Sequence, residues 1–325
     1  MANGGRIKAT TCTLTAALLL AAATCSAQGY PTRPIRFLIG FPPGGTNDIL
    51  ARALAPKLSE YLGQPVVIEN RGGASTAIAT ELAARAAPDG YTILLNAPGH
   101  ATNPALIKLN FDPVKDFAFI TLLAESQNLL VVHPSLPVTS VKSLIEISKK
   151  RPGDINYGSS GIGTTPHMSA ELFQFMTGTR WTHIPYKGSG LGLTGLLGGE
   201  VSLYFANVPA AFQHVKAGRL RPVALSGTKR TPAAPGIPTV AESGLPGFAV
   251  TSWFGVAAPA KTPRPIVDRL NGEIVRALAT PELRERMEGM GADPVGNTPE
   301  QYTRFVENEI AKWGKVIKYA GIKGE

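Results

Sequence analysis

Hydrophobic positions along the chain alternate between two rhythms. Short β-branched runs are followed by segments in which apolar residues return every three to four positions. Residues 35–41 read as a buried strand. Residues 48–62 follow as a helix, with Ile49, Leu50, Ala53, Leu54, Leu58 and Leu62 on one stripe and Pro56 expected to bend it. A strand at 66–69, a helix at 76–86 and a strand at 91–95 complete a βαβαβ unit.

The pattern then repeats in kind, though not in sequence. Strands are predicted at 129–132, 155–158, 182–184, 201–205 and 223–225, and helices at 140–149, 165–176, 190–197 and 210–217. Residues 231–247 are rich in proline and glycine, lack periodicity and read as loop. Another strand is expected at 252–258. Thr298-Pro299-Glu300-Gln301 is a capping box with proline in the first turn. Tyr302, Phe305, Val306, Ile310, Trp313 and Ile317 then form the stripe of a last helix. Strands alternating with helices predict an α/β fold with largely parallel sheets.

The N-terminus adds a targeting signal. Arg6 and Lys8 precede an apolar run at 14–23, and Cys25-Ser26-Ala27 supplies small residues for cleavage after Ala27. The run is shorter than the ~20 residues that span a bilayer. Lipid attachment at Cys25 is the weaker reading, because Ala22-Ala23-Thr24 matches a lipobox poorly. The expected destination is the periplasm, with residues 1–27 removed. The remaining chain is long enough to favour two lobes over one core. Both cysteines lie in the leader, which excludes disulfides, thiolate nucleophiles and cysteine-held metals from the rest. The net charge of +9 comes from scattered lysines and arginines, without the concentrated basic face that nucleic-acid binding needs.

Candidate chemistry lies in glycine-rich loops between strands and helices. They are 41–48 (FPPGGTND), 70–76 (NRGGAST), 96–100 (NAPGH), 158–167 (GSSGIGTTPH) and 186–190 (YKGSG). In parallel sheets such loops line the ligand crevice, and a helix N-terminus favours an anion. One helix end contributes roughly 0.3–1 kcal/mol, while micromolar affinity needs about 8 kcal/mol. A single loop therefore decides nothing, but several converging loops with hydroxyls can hold a carboxylate without arginine. Residues 190–195 match a dinucleotide glycine pattern, yet the acidic residue expected further on is missing. There is no P-loop ending, no Gly-x-Ser-x-Gly and no zinc-type histidine pair, so no cofactor or metal is expected. Of the five histidines, His100 and His167 stand beside glycine loops and are candidate ligand donors.

These loops resemble those of the Bug family, the extracytoplasmic receptors of tripartite tricarboxylate transporters. The resemblance runs over nearly the whole mature chain. It rests on 41–48, 67–71 (VIENR), 89–92 (DGYT), Asn103-Pro104, 156–163 (NYGSSGIG), 185–188 (PYKG), 196–199 (LLGG) and 253–255 (WFG). It implies a two-lobed type II periplasmic-binding fold (a Venus flytrap) with the ligand cleft between lobes. Lobe one would comprise 28–128 plus 252–325 and lobe two 129–251, with crossings near 129–132 and 250–254.

By match, Phe41, Gly44, Thr46, Asp48, Ser75 and Thr76 would line one wall, and Thr164, Thr165, His167 and Tyr186 the other. Ala206 and Asn207 follow a strand at the cleft, and Trp253 lies near the hinge. Three positions depart from the family pattern. Residues 70–75 carry Gly72 and Ser75 where proline and glycine are common. Ala206 replaces a frequent aspartate, which would remove a partner for a ligand ammonium and favour an unaminated acid. Gly195 replaces another aspartate, expected at a helix surface. The implied function is a monomeric, non-enzymatic receptor that delivers a small carboxylate (di-, tricarboxylate or aromatic acid) to membrane permease subunits. The alternatives are a receptor for a sensor kinase and an exported hydrolase using Ser159 or Ser160 with His167.

Overall fold

A computed structural model describes residues 29–322. The leader and its cleavage site lie outside the described residues. The first half opens with β1 (Ile35–Ile39), α1 (Thr46–Leu62) and β2 (Val66–Asn70). A 3-10 turn (Ala74–Thr76) leads into α2 (Ala77–Ala84), followed by β3 (Thr92–Asn96) and α3 (Gly99–Leu106). β1 pairs in parallel with β2 and β3, placing Ile35 opposite Val66 and Leu38 opposite Leu94. α1 buries Leu50, Leu54, Leu58 and Leu62, the stripe its periodicity predicts, and continues through Pro56.

β4 (Phe117–Val132) joins the two halves. Its first part pairs antiparallel with β9 (Thr251–Pro259), down to Gln127 opposite Thr251. From Asn128 onward it pairs with β7 (Leu203–Asn207) and β8 (Arg221–Leu225). One sheet therefore runs β2-β1-β3-β9-β4, and the other continues from β4 to β7, β5 (Asn156–Ser159) and β6 (Thr182–Pro185). The chain returns at Val250, whose N–H donates to the Ser226 carbonyl at 2.9 Å just before β9 begins.

Helices cover both sheets. The second carries α4 (Val141–Lys150), α5 (Thr165–Thr177), α6 (Ser189–Leu197) and α7 (Val208–Lys216). The first is completed by α8 (Arg264–Leu278), α9 (Pro281–Gly289), β10 (Ala292–Pro294) against β4, and α10 (Pro299–Ala320). The capping box of α10 forms as read: Gln301 N–H donates to Thr298 Oγ1 at 3.3 Å, and Thr298 N–H to Gln301 Oε1 at 3.0 Å. Burial of this many branched aliphatic side chains, each contributing roughly 1.5–3 kcal/mol, drives the assembly.

Several elements correct the sequence reading. β4 begins at Phe117, well before residue 129, because its polar Glu125-Ser126-Gln127-Asn128 stretch hides a continuous strand. The loop expected at 96–100 already enters α3 at Gly99, and this helix, with Gly99 and Pro104 in it, carries no clear helical pattern in the sequence. α8, α9 and β10 were not resolved from the helical end of the chain. Residues 231–247 contain no named helix or strand, as their composition indicates.

Candidate functional site

The strand-end loops of both sheets meet at one cavity. Phe41 follows β1, Asn47 begins α1, and Ala97, Pro98 and Gly99 follow β3. From the second sheet come Ser160, Thr164, Thr165 and Pro166 between β5 and α5, Ser189 at α6, and Asn207 at the end of β7. Ser252 and Phe254 enter from β9. The cleft holds about 310 Å³ of empty space, open solvent at its mouth included. None of these lining residues is charged.

Helix ends supply what charge the cavity has. α1, α3, α5, α6 and α7 all begin at it, and none has a side-chain cap on its first turn. Away from it, α4 and α10 are closed by capping boxes of their own, while α2, α8 and α9 also begin without a side-chain cap. The first N–H groups of a helix need an acceptor, and the helix dipole prefers an anionic one. The side-chain amide Nδ2 of Asn47 is also buried and meets no acceptor among the described residues.

The floor is a buried polar hub around Asn128, where β4 changes sheets. Asn128 Oδ1 accepts from Asn207 Nδ2 at 2.7 Å, and its Nδ2 donates to Ser169 Oγ at 2.9 Å. Asn207 also donates to Ser252 Oγ at 2.6 Å, and Ser252 shares a hydrogen bond with Thr165 Oγ1. Ser226 Oγ receives the Asn128 N–H and donates to the Val250 carbonyl at 2.6 Å. Both chain crossings are thus tied to the cavity floor. Of the lining residues, Phe41, Thr164, Thr165 and Asn207 are among those named for the cleft from the sequence, whereas Asn47, Ser160, Ser189, Ser252 and Phe254, and Asn128 beneath them, are not. The polar run inside an otherwise apolar β4 was the available signal for Asn128.

The first loop is held from behind. Asp48 Oδ2 accepts from the Gly44 N–H at 3.0 Å and Arg52 Nε at 2.9 Å, while Oδ1 accepts from Asn70 Nδ2 at 3.1 Å. Burial works against the Asp48 charge, but the hydrogen bonds from Arg52, Gly44 and Asn70 outweigh it and hold its carboxyl below the usual value. Asp48 is spent on positioning and does not line the cavity. Gly44 adopts φ +85°, which its place in this turn requires. Thr46 and Thr76 are buried beside the wall, and the Oγ1 of each has no partner among the described residues.

Other expected residues sit away from the inner cavity. His100 is in the core, with Nε2 donating to the Pro113 carbonyl at 2.7 Å and Phe117 and Phe119 against its ring. Burial lowers its pKa to about 4. His167 lies under the second-lobe loop, where Nδ1 accepts from the Gly163 N–H at 3.2 Å and the ring stacks on His183 at 4.3 Å. Burial lowers its pKa to about 4 as well. Trp253 faces away on β9, donating to Glu309 Oε2 at 3.1 Å, so strand alternation turns Ser252 and Phe254 to the cleft instead. Ala206 likewise points into the core with Leu129 and Tyr204, so a side chain there faces away from the cavity.

Tyr186 and Ser75 line an outer recess that shares Phe41 and Ser160 with the cavity. Tyr186 donates to Glu200 Oε2 at 2.9 Å and fills the space over Gly195, where a Cβ would fall 2.2 Å from its hydroxyl. Gly195 is therefore buried under a ring, not at a free helix surface. Ser75 donates across the cleft to the Ile162 carbonyl at 2.7 Å.

Comparison with known proteins fits this geometry. Residues 50–322 match the tripartite tricarboxylate transporter family receptor model. The chain is 39% identical to Protein BugT of Bordetella pertussis, over 93% of this chain and 94% of that one. The solved structure of R. palustris Rpa4515 with adipate superposes with a TM-score of 0.89 at 43% identity, covering 91% of this chain and all (100%) of that one. MatC from Rhodopseudomonas palustris with bound malate gives a TM-score of 0.84 at 32% identity, covering 89% and 100%. The periplasmic binding protein BugD superposes with a TM-score of 0.88 at 35% identity, covering 91% of this chain and 100% of that one, and the two-lobed α/β fold is that of periplasmic solute-binding proteins. The chain belongs to the tripartite tricarboxylate transporter receptor family, to which the Bug receptors belong.

Proposed function

We propose that the cleft captures a small dicarboxylate and that the loaded receptor delivers it to the membrane permease subunits of a tripartite tricarboxylate-type transporter. The observation that carries this reading is the convergence of uncapped helix N-termini on a cavity lined by no charged side chain. A carboxylate entering it exchanges water for preoriented N–H groups and hydroxyls. An ammonium group would find no carboxylate partner in the lining, which favours an unaminated acid. The adipate and malate held by the two related structures support the same ligand class.

In this reading lobe one is 28–128 plus 252–325 and lobe two is 129–251, with β4 and the 250–252 segment as crossings. The receptor acts as a monomer in the periplasm after cleavage behind Ala27. It turns over nothing. Ser159 is fully buried and shares its hydroxyl with His183 Nε2 at 2.7 Å, while His167 is engaged by Gly163, away from Ser160. The test is a thermal-shift panel of mono-, di- and tricarboxylates, aromatic acids and amino acids. At a hundred times Kd a ligand adds about 2.7 kcal/mol of stability. A shift for dicarboxylates without turnover is expected; a response confined to amino acids would reject the reading.

A further inference from the structure

We propose that Ser75 is a strained latch that holds the two lobes together across the cleft, and so governs how long a bound acid stays. The latch deepens the receptor reading and rests on it.

Ala74, Ser75 and Thr76 have φ of 45°, 46° and 84°, three successive non-glycine residues in the left-handed region. Such backbone persists only where its surroundings over-determine it. Two glycines make room for it. A Cβ on Gly40 would fall 2.6 Å from Thr76 Cβ, and one on Gly99 would fall 2.4 Å from the Ser75 carbonyl oxygen. Asn103 Nδ2 clamps that carbonyl oxygen at 3.0 Å.

The turn aims the Ser75 hydroxyl at the other lobe. Ser75 Oγ donates to the Ile162 carbonyl at 2.7 Å. Facing it, Gly161 has φ +127°, and a Cβ there would lie 2.9 Å from Ser75 Oγ. Next along the loop, Thr102 Oγ1 donates to the Gly163 carbonyl at 2.9 Å. Two adjacent loop carbonyls of the second lobe thus accept hydroxyls from the first. When the lobes part, both bonds are lost while the turn, fixed within lobe one, keeps its strain. The latch therefore acts on the closed form alone.

The experiment compares wild type with Ser75→Ala, Ser75→Gly and Thr102→Val, following adipate release by stopped-flow tryptophan fluorescence. Both Ser75 variants should release adipate about fivefold faster, the scale of one neutral hydrogen bond. Ser75→Gly should also melt above Ser75→Ala without ligand, because both lose the hydroxyl but only glycine relieves the left-handed strain. Unchanged release in both Ser75 variants overturns the latch. A Ser75→Gly protein that melts no higher than Ser75→Ala overturns its strained character. Failure of wild type to bind any acid in the panel would instead count against the receptor reading. The latch is then decided by X-ray scattering of the proteins alone, where Ser75→Ala with Thr102→Val should give a larger radius of gyration. An equal radius would overturn it.

Discussion

Asn207 Nδ2 donates to Asn128 Oδ1 at 2.7 Å, joining the residue that begins α7 to the point where β4 passes between sheets. The point where β4 changes sheets and the cavity floor are therefore one hydrogen-bonded unit. Thr165 and Ser252 complete it from α5 and β9.

Removing the centre of that unit should be costly. Asn128→Ala leaves one N–H of the Asn207 amide without its acceptor and the Ser169 hydroxyl without its donor in a buried site, so a loss of about 1–3 kcal/mol is expected. Urea unfolding monitored by circular dichroism measures it. A variant as stable as wild type would show that water replaces the missing amide freely.

A carboxylate built into the cavity should compete with the ligand. Ser189→Asp places a negative charge at the N-terminus of α6, where the helix dipole favours it by about 0.3–1 kcal/mol. The melting temperature should hold or rise, while like-charge repulsion of several kcal/mol should weaken acid binding by more than about a hundredfold. Calorimetry and thermal melting of the same sample test both halves of this expectation.

The first loop depends on a charge that lies outside the cavity lining. Asp48→Asn removes the acceptor for Arg52 and the Gly44 N–H, and a loss of about 1–3 kcal/mol is expected because the bonds are charge-assisted. Arg52→Ala should cost less, since its side chain is 54% exposed. Equal losses in the two variants would mean that the ion pair, not the loop anchorage, carries the stability.

Acid should unfold the protein through its buried histidines. Burial lowers the pKa of His100 and His167 to about 4, and burial together with His167 lowers that of His183 to about 3. Between these values and the ordinary 6.5 the unfolded chain binds more protons than the folded one. The resulting stability is complete above about pH 6.5 and is lost as pH falls toward 4. His100→Gln keeps a donor for the Pro113 carbonyl and removes one proton from the balance. It should flatten the dependence of unfolding free energy on pH by up to about 1.4 kcal/mol per unit in that window.

The sequence announced much of this architecture because burial imposes simple periods. The α1 stripe, the short strands around it and the α10 capping box follow from local rules that tertiary packing did not override. The misses have equally local causes. In β4, Ser126 donates to the Gly291 carbonyl, Gln127 to the Lys229 carbonyl and Asn128 to Ser169 at the cavity floor, and these polar residues broke the hydrophobic run. Gly99 and Pro104 disguised α3, whose first glycine lets the 74–76 turn approach. The glycine loops of both sheets do meet at one cavity, but a loop does not reveal which of its residues faces inward. Trp253 and Phe254 illustrate the point, since one step along a strand exchanges core for cleft.

Isothermal titration with adipate and with its uncharged diamide tests the central claim most directly. Uncapped helix amides in a cavity without charged side chains should bind the dianion at micromolar strength and leave the isosteric diamide unbound. Equal affinity for the two, or binding of the diamide alone, would contradict it.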